Sequence, residues 1–229
     1  MAEHCDVLLV HGAFQGSFVW KFLKSKLESF GHSVWAPDLC GNSLSEHINQ
    51  ISELVLKENR SFIVIGHSYG GLVVTGVAKR TAYLNIRALV YLDAPIPVSA
   101  VGDSQSLIDI LGPEAAEAFN KRTKDQFVDP FPSESFGLDT RVHSEIISLH
   151  SRQSIECFYE PGPSWNYSTD PLPFPVFYIQ CSPNEFNCKQ LSKAKAMNFN
   201  LLFIHESGHC PMITHVDELF NLLANSVLF

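Results

Sequence analysis

The sequence predicts an α/β fold, a mostly parallel sheet of about six strands with helices on both faces. Two patterns predict it. Short apolar runs of the buried-strand type, beginning with Asp6–Val10, alternate with longer stretches whose apolar residues recur at helical spacing. One run, Ile63-Val64-Ile65, breaks at Gly66-His67-Ser68-Tyr69-Gly70-Gly71 directly into the helical pattern Leu72-Val73-Val74. That is a strand entering a helix with almost no loop. A length of 229 residues fits one domain, and 45% hydrophobic with 17% charged residues fits a globular protein with a sizeable core.

Taken in order, Asp6–Val10 stops at His11-Gly12-Ala13-Phe14, and Ser17 then opens a helix through Phe18, Phe22, Leu23, Leu27 and Phe30 that ends at Gly31. Ser33–Ala36 is the second strand, closed by Pro37-Asp38. Ser43-x-x-Glu46 reads as a capping box ahead of Ile48, Ile51, Leu54 and Val55. Ser61–Ile65 is the third strand and leads to the Ser68 turn; Ile86–Leu92 is the fourth, ending at Asp93-Ala94-Pro95. Pro175–Gln180 and Asn200–Ile204 are two more strands, and Thr214-x-x-Asp217 reads as a cap for the last helix through Leu219, Leu222 and Leu223.

From about Pro95 to Asp170 the rhythm breaks. The segment is too long for a simple crossover and carries helical patterns at Leu107–Leu111, Glu114–Phe119 and Val142–Leu149. Its aromatics, Phe127, Phe131, Phe136, Phe158, Tyr159 and Trp165, form a satellite core, line an apolar pocket over the carboxyl edge of the sheet, or do both. Prolines at 161, 163, 171, 173 and 175 mark a stiff return to the sheet. The expected division is a core of 1–94 and 171–229 with 95–170 inserted as a cap.

Lys+Arg 16 against Asp+Glu 24 leaves a net charge of −8, and no basic run occurs, which argues against nucleic acid or an anionic membrane as partner. The six cysteines are scattered without a CxxC pair, so neither a disulfide framework nor a structural zinc is expected. No apolar stretch approaches the ~20 residues that span a bilayer, and no secretory leader precedes Cys5. The expectation is a cytoplasmic monomer or homodimer with reduced thiols and no cofactor or metal, whose partner is a small molecule.

Ser68 sits at the tip of the Gly66-x-Ser68-x-Gly70 turn, which would lift its hydroxyl above the sheet edge beside the free N–H groups of a helix start. The bland alternative is a glycine-rich turn with an exposed serine. A serine hydroxyl needs a base at neutral pH. Of ten histidines, His209 follows the last strand and precedes the C-terminal helix, which brings it to the same sheet edge. His205 and His215 read as structural or surface residues, His67 as part of the turn, and His11 as a support for its loop. The acid that orients the base has two candidates. Glu185 lies in the loop after the fifth strand, where Asn184 takes the position an aspartate would hold; its plainer reading is a solvated surface charge. Asp93 ends the fourth strand, and its plainer reading is a turn cap. The cost of placing a carboxylate at the end of an apolar run favours Asp93. An oxyanion needs donors: the N–H of Tyr69 at the helix start and that of Ala13 in the first loop are candidates, with Phe14 beside them as a substrate contact.

Val10-His11-Gly12-Ala13, Trp20, Ala36-Pro37-Asp38-Leu39, Gly66-His67-Ser68-Tyr69-Gly70-Gly71, Val90-Tyr91-Leu92-Asp93-Ala94 and Gly208-His209 together resemble a small α/β-hydrolase of the plant methylesterase/hydroxynitrile lyase group and its bacterial esterase relatives. The resemblance covers nearly the whole chain outside the insertion, which that family uses as a cap. It implies an α/β-hydrolase fold, Ser68 as nucleophile, His209 as base, and the Ala13 and Tyr69 N–H groups as oxyanion hole. Two positions depart from the pattern. The family's usual acid falls on Asn184, though some dehalogenase relatives carry it where Asp93 stands, and the lysine that hydroxynitrile lyases place after the histidine is Cys210.

The expected function is hydrolysis of a carboxylic ester or lactone with an apolar portion through an acyl-enzyme. Thioester cleavage, acyl transfer or C–C bond hydrolysis on the same scaffold is one rival, which a substrate panel separates. A ligand-binding module with a decayed triad, suggested by Asn184, is the other, and labelling with a fluorophosphonate separates it.

Overall fold

The computed structural model describes residues 4–99, 103–141, 143–166, 173–181 and 184–228. Six strands, β1 (Asp6–Val10), β2 (Ser33–Trp35), β3 (Phe62–His67), β4 (Ile86–Leu92), β5 (Val176–Gln180) and β6 (Asn200–Phe203), form one sheet in the order β6-β5-β4-β3-β1-β2. Every pairing is parallel. Parallel strands covered on both faces must be apolar throughout, and Val7–Val10, Phe62–Ile65 and Leu89–Leu92 are all fully buried.

Helices α1 (Lys21–Ser29), α2 (Leu44–Glu58) and α3 (Gly70–Arg80) follow β1, β2 and β3 in turn. Among its described residues the long β4–β5 segment holds the helices α4 (Leu107–Leu111), α5 (Pro113–Arg122), α6 (Ser144–Ser148) and α7 (Glu156–Tyr159), with a few two-residue strands. After β5 come α8 (Glu185–Ala196), then β6, α9 (Pro211–Thr214) and α10 (Val216–Ser226). Among the described residues no helix is long and apolar enough to cross a membrane.

Chain order reverses between β1 and β3, since β2 lies on one side of β1 while β3 to β6 succeed each other on the other. In open parallel sheets a crevice forms at the strand carboxyl ends at such a reversal. Val10 and Gly66 are register partners there, so His11–Phe14 and the Ser68 turn leave the sheet side by side.

The local expectations meet several corrections. The first helix begins as a 3-10 turn, Ser17–Trp20, before α1, and β3 runs on to His67 rather than stopping at Ile65. Ser43 caps α2 by accepting from the Glu46 N–H, and the Glu46 carboxylate reaches back to the Asn42 N–H as well as to Ser43. Thr214 caps nothing: its hydroxyl donates to the Ser207 and Cys210 carbonyls, and α10 starts at Val216 without a side-chain cap. Helix α8 carries no expectation from periodicity, because its buried positions include the polar Asn187 and Gln190. The start of the expected helix at Val142, the return proline Pro171 with Asp170, and Ser182-Pro183 lie outside the described residues.

Both readings of the inserted aromatics hold. Phe131 and Phe136 line a cavity at the sheet edge, whereas Phe158 and Trp165 are fully buried. Phe119 joins Phe14, Phe131 and Phe158 in a cluster with ring centroids 4.9–6.3 Å apart.

Candidate active site

Ser68 occupies the turn between β3 and α3 with φ 51°, the left-handed region that a residue with a Cβ enters only when its surroundings impose it. Close packing imposes it. A Cβ on Gly66 would lie 2.6 Å from the Gly70 carbonyl oxygen, and one on Gly70 would lie 2.7 Å from that of Val10. Strand, helix and the end of β1 therefore meet backbone to backbone. The Ser68 N–H donates to the Leu92 carbonyl (3.2 Å) and its own carbonyl accepts from the Gly71 N–H (2.8 Å), so both neighbours hold the turn.

Tyr69 is the N-cap of α3, and the first N–H groups of a helix have no partner inside it. Its phenol is paired with His47 Nδ1 at 2.9 Å in a buried contact. Burial pushes the Tyr69 hydroxyl well above its ordinary pKa and lowers that of His47 to about 4, so both are neutral near pH 7.

The loop after β1 closes the other side. His11 is neutral by burial; Nδ1–H donates to the Gly12 carbonyl (2.8 Å) and Nε2 accepts the Leu39 N–H (3.0 Å), tying this loop to the one after β2. Ala13 lines the cavity with Ser68. Phe14 is left-handed, φ 64°; its N–H donates to Gln153 Oε1 and its carbonyl accepts from the Ser151 N–H, each at 2.9 Å. Its ring is thereby turned into the aromatic cluster.

His209 and Asp93 come together although 116 residues separate them, with His209 Nδ1 2.8 Å from Asp93 Oδ2. A carboxylate only accepts, so Nδ1 carries the proton and Nε2 is left with its lone pair. The other oxygen, Oδ1, accepts from the Cys181 N–H (2.9 Å) and from Asn187 Nδ2 (3.0 Å). Asp93 is 1% exposed, with φ 46°. Glu185 is not part of this arrangement: it opens α8, is 84% exposed and pairs with Lys189 at 2.7 Å. Its position at i, i+4 to a lysine on the solvent side keeps it there.

The loop that carries His209 is clamped from two directions. His67 Nε2–H donates to the His209 carbonyl at 2.8 Å, and burial holds the His67 pKa far below its usual value. On the other face Gly137, φ 68°, packs against Gly208, φ 69°; a Cβ on Gly137 would lie 2.9 Å from Gly208 Cα. His205 is exposed and stacks on Phe203, and His215 sits at the start of α10.

Ser68, Asp93 and His209 share one cavity of about 450 Å³ with Ala13 and Phe14. Leu107, Leu111, Phe119, Phe131 and Phe136 from the β4–β5 segment make much of its wall, and Glu134, Asn184 and Asn187 add polar groups. Among the described residues no group of three or more His, Cys, Asp or Glu side chains is arranged to hold a metal ion, and no disulfide joins the cysteines. Asn187 and Gly137 lie outside what motifs indicate, since each is recognisable only by what it touches.

Such a strained serine turn at a chain reversal, with a carboxylate-bound histidine on the last loop, defines a class of fold, and the comparisons agree. Residues 7–222 match the Alpha/beta hydrolase family. The chain belongs to that family. Among characterised relatives, a carbendazim hydrolyzing esterase of Nocardioides sp. is 35% identical over 126 residues, 50% of this chain and 52% of that protein. Salicylic acid-binding protein 2 of Nicotiana tabacum is 32% identical over 136 residues (54% and 48%), and an alpha-hydroxynitrile lyase of Arabidopsis thaliana 33% over 103 (39% and 40%). The matches thus span about half the length of these relatives. Among solved structures, an extracellular alpha/beta-hydrolase from a Paenibacillus species superposes with a TM-score of 0.79 at 19% identity, covering 97% of this chain and 98% of that one. An Arabidopsis methylesterase gives 0.74 at 18% identity, with coverage of 97% and 98%.

Proposed function

We propose that the protein is a serine hydrolase cleaving a carboxylic ester or lactone that carries an apolar portion, with the β4–β5 segment, 95–170, serving as a cap over the site. The observation that carries this reading is the 2.8 Å contact between His209 Nδ1 and Asp93 Oδ2 on the cavity that Ser68 also lines. The esterases among its relatives support the ester as the bond cleaved.

Ser68 Oγ attacks the carbonyl carbon while His209 Nε2 takes its proton, and Asp93 stabilises the imidazolium. The Tyr69 and Ala13 N–H groups hold the tetrahedral oxyanion. Collapse transfers the imidazolium proton to the departing alkoxide and leaves an acyl group on Ser68. Water, deprotonated by His209, then releases the carboxylic acid and restores the serine. A cavity of about 450 Å³ with phenylalanine walls favours an apolar substrate portion of moderate size. The alternative of a binding module with a decayed triad loses its motive, because the carboxylate missing at Asn184 has a counterpart in Asp93. A panel of p-nitrophenyl esters of increasing chain length tests the proposal: turnover that peaks at short to medium chains and vanishes in Ser68→Ala supports it. Equal turnover by Ser68→Ala overturns it.

A further inference from the structure

We infer that Asn187 is a positioning residue for Asp93, a reading that rests on the proposed triad and deepens it. Strand β4 supplies the acid, and the helix that follows the neighbouring strand β5 supplies the amide that holds it. Asn187 is 2% exposed in the first turn of α8, and its backbone is fixed by its N–H, which donates to the Asn184 side chain at 2.9 Å. Its Nδ2 lies 3.0 Å from Asp93 Oδ1, and the residue also borders the cavity shared with Ser68 and His209. Burying an amide costs free energy unless it is hydrogen-bonded, and here its donor faces a carboxylate that can only accept. With the Cys181 N–H on the same oxygen, the amide fixes the carboxylate plane so that Oδ2 addresses the His209 Nδ1–H. The asparagine at 184, where an acid would otherwise stand, and the amide at 187 thus act as one device. The cap of α8 seats Asn187, and Asn187 seats the acid from the strand next door.

The groups around this contact leave its pH response readable. From β5 and its end come Tyr178 and Cys181, and from the loop that carries His209 come Cys210 and His209 itself. Burial raises the pKa of the Tyr178 and Cys181 groups far above neutrality and that of Cys210 to about 12. On α8 itself Glu185, Cys188 and Lys189 are exposed, and Lys193 donates to the Ile96 carbonyl. Tyr178, Cys181 and Cys210 therefore stay neutral between about pH 5 and 10.

The experiment compares the full-length wild type, Asn187→Asp, Asn187→Ala and Asp93→Asn by kcat/KM on p-nitrophenyl butyrate from pH 5.5 to 9.5, with thermal melting at each pH. In Asn187→Asp two carboxyl groups about 3 Å apart share a proton at low pH. The protonated one then donates to Asp93 and replaces the lost amide bond. As pH rises both ionise and repel. The ratio of Asn187→Asp to wild type is expected within about threefold at pH 6 and below one tenth at pH 9, while Asn187→Ala is down about tenfold throughout. At pH 6 Asn187→Asp should also exceed Asn187→Ala, a comparison that stands even where the aspartate variant melts at high pH. A ratio that stays flat with pH, or Asn187→Ala equal to wild type, overturns the inference. Asp93→Asn separates the two levels. If it is inactive while the Asn187→Asp profile parallels wild type, only the role of Asn187 fails; if it is fully active, the triad reading itself fails.

Discussion

Replacing Asp93 with asparagine exchanges one carboxylate oxygen of a buried side chain for an NH₂ group and should remove nearly all turnover. Oδ1 faces two donors, the Cys181 N–H and Asn187 Nδ2, so the new amide must turn its oxygen toward them and its NH₂ toward His209. Two N–H groups cannot face each other at 2.8 Å. His209 then shifts its proton to Nε2, which leaves no lone pair to take the Ser68 proton. Trapping a triad histidine in the wrong tautomer costs about 10⁴-fold in kcat, or about 5 kcal/mol of transition-state stabilisation. Stability should change far less, by about 2 kcal/mol at most, because the shape and the Oδ1 contacts survive and a buried charge is removed with its bonds. The assay is steady-state hydrolysis of p-nitrophenyl butyrate alongside thermal melting, with Glu185→Gln in parallel. That substitution should leave kcat within about twofold, since the Glu185 carboxylate is 84% exposed on the solvent side of α8. A folded Asp93→Asn enzyme with more than a tenth of wild-type kcat would refute the reasoning, as would loss of activity in Glu185→Gln.

Three further outcomes are expected. Ser68→Gly and Ser68→Ala should both be inactive, yet the glycine variant should be more stable than the alanine one by about 0.5–1 kcal/mol, because φ 51° strains any residue with a Cβ; equal melting temperatures would argue against strain at the turn. Gly137→Ala should lose at least tenfold in kcat and about 1–2 kcal/mol of stability, since its Cβ would meet Gly208 Cα at 2.9 Å and the His209 nitrogen at 3.2 Å with φ left-handed; melting and ester turnover read both. The folded-state pKa of His47, about 4, lies below that of a free histidine, so the unfolded chain binds more protons between about pH 6.5 and 4. Stability is therefore full above that window and falls through it, with His47 contributing up to roughly 3 kcal/mol at 1.36 kcal/mol per unit; urea melts at pH 7 and 5 should show a smaller loss for His47→Gln than for wild type.

What was legible in the chain follows from how local its cause is. The Ser68 turn could be read because Gly66 and Gly70 serve a close approach inside one stretch of six residues. The sheet could be read because each strand announces itself by an apolar run, and the family follows from those motifs. The choice between Asp93 and Glu185 leaned to Asp93 only on the cost of its placement, because it depends on which loop lies against His209 across 116 residues of chain. Helix α8 escaped notice because buried Asn187 and Gln190 interrupt the apolar stripe that would mark it, and the buried amide of Asn187 is itself part of the site. One capping pattern misled for a related reason. Thr214 had other partners within reach, the Ser207 and Cys210 carbonyls, and a three-residue spacing does not choose among them. The fold of the β4–β5 segment depends on contacts between Phe14 and residues more than a hundred positions away, which periodicity does not encode.

The most direct measurement is labelling of the purified protein with a fluorophosphonate, followed by mass mapping of the adduct in wild type, Ser68→Ala and Asp93→Asn. A single adduct on the peptide containing Ser68, absent in Ser68→Ala and formed at least a hundredfold more slowly in Asp93→Asn, is expected if Ser68 is activated by His209 and Asp93. An adduct on any other residue, or ester turnover by protein whose Ser68 remains unlabelled, would contradict it.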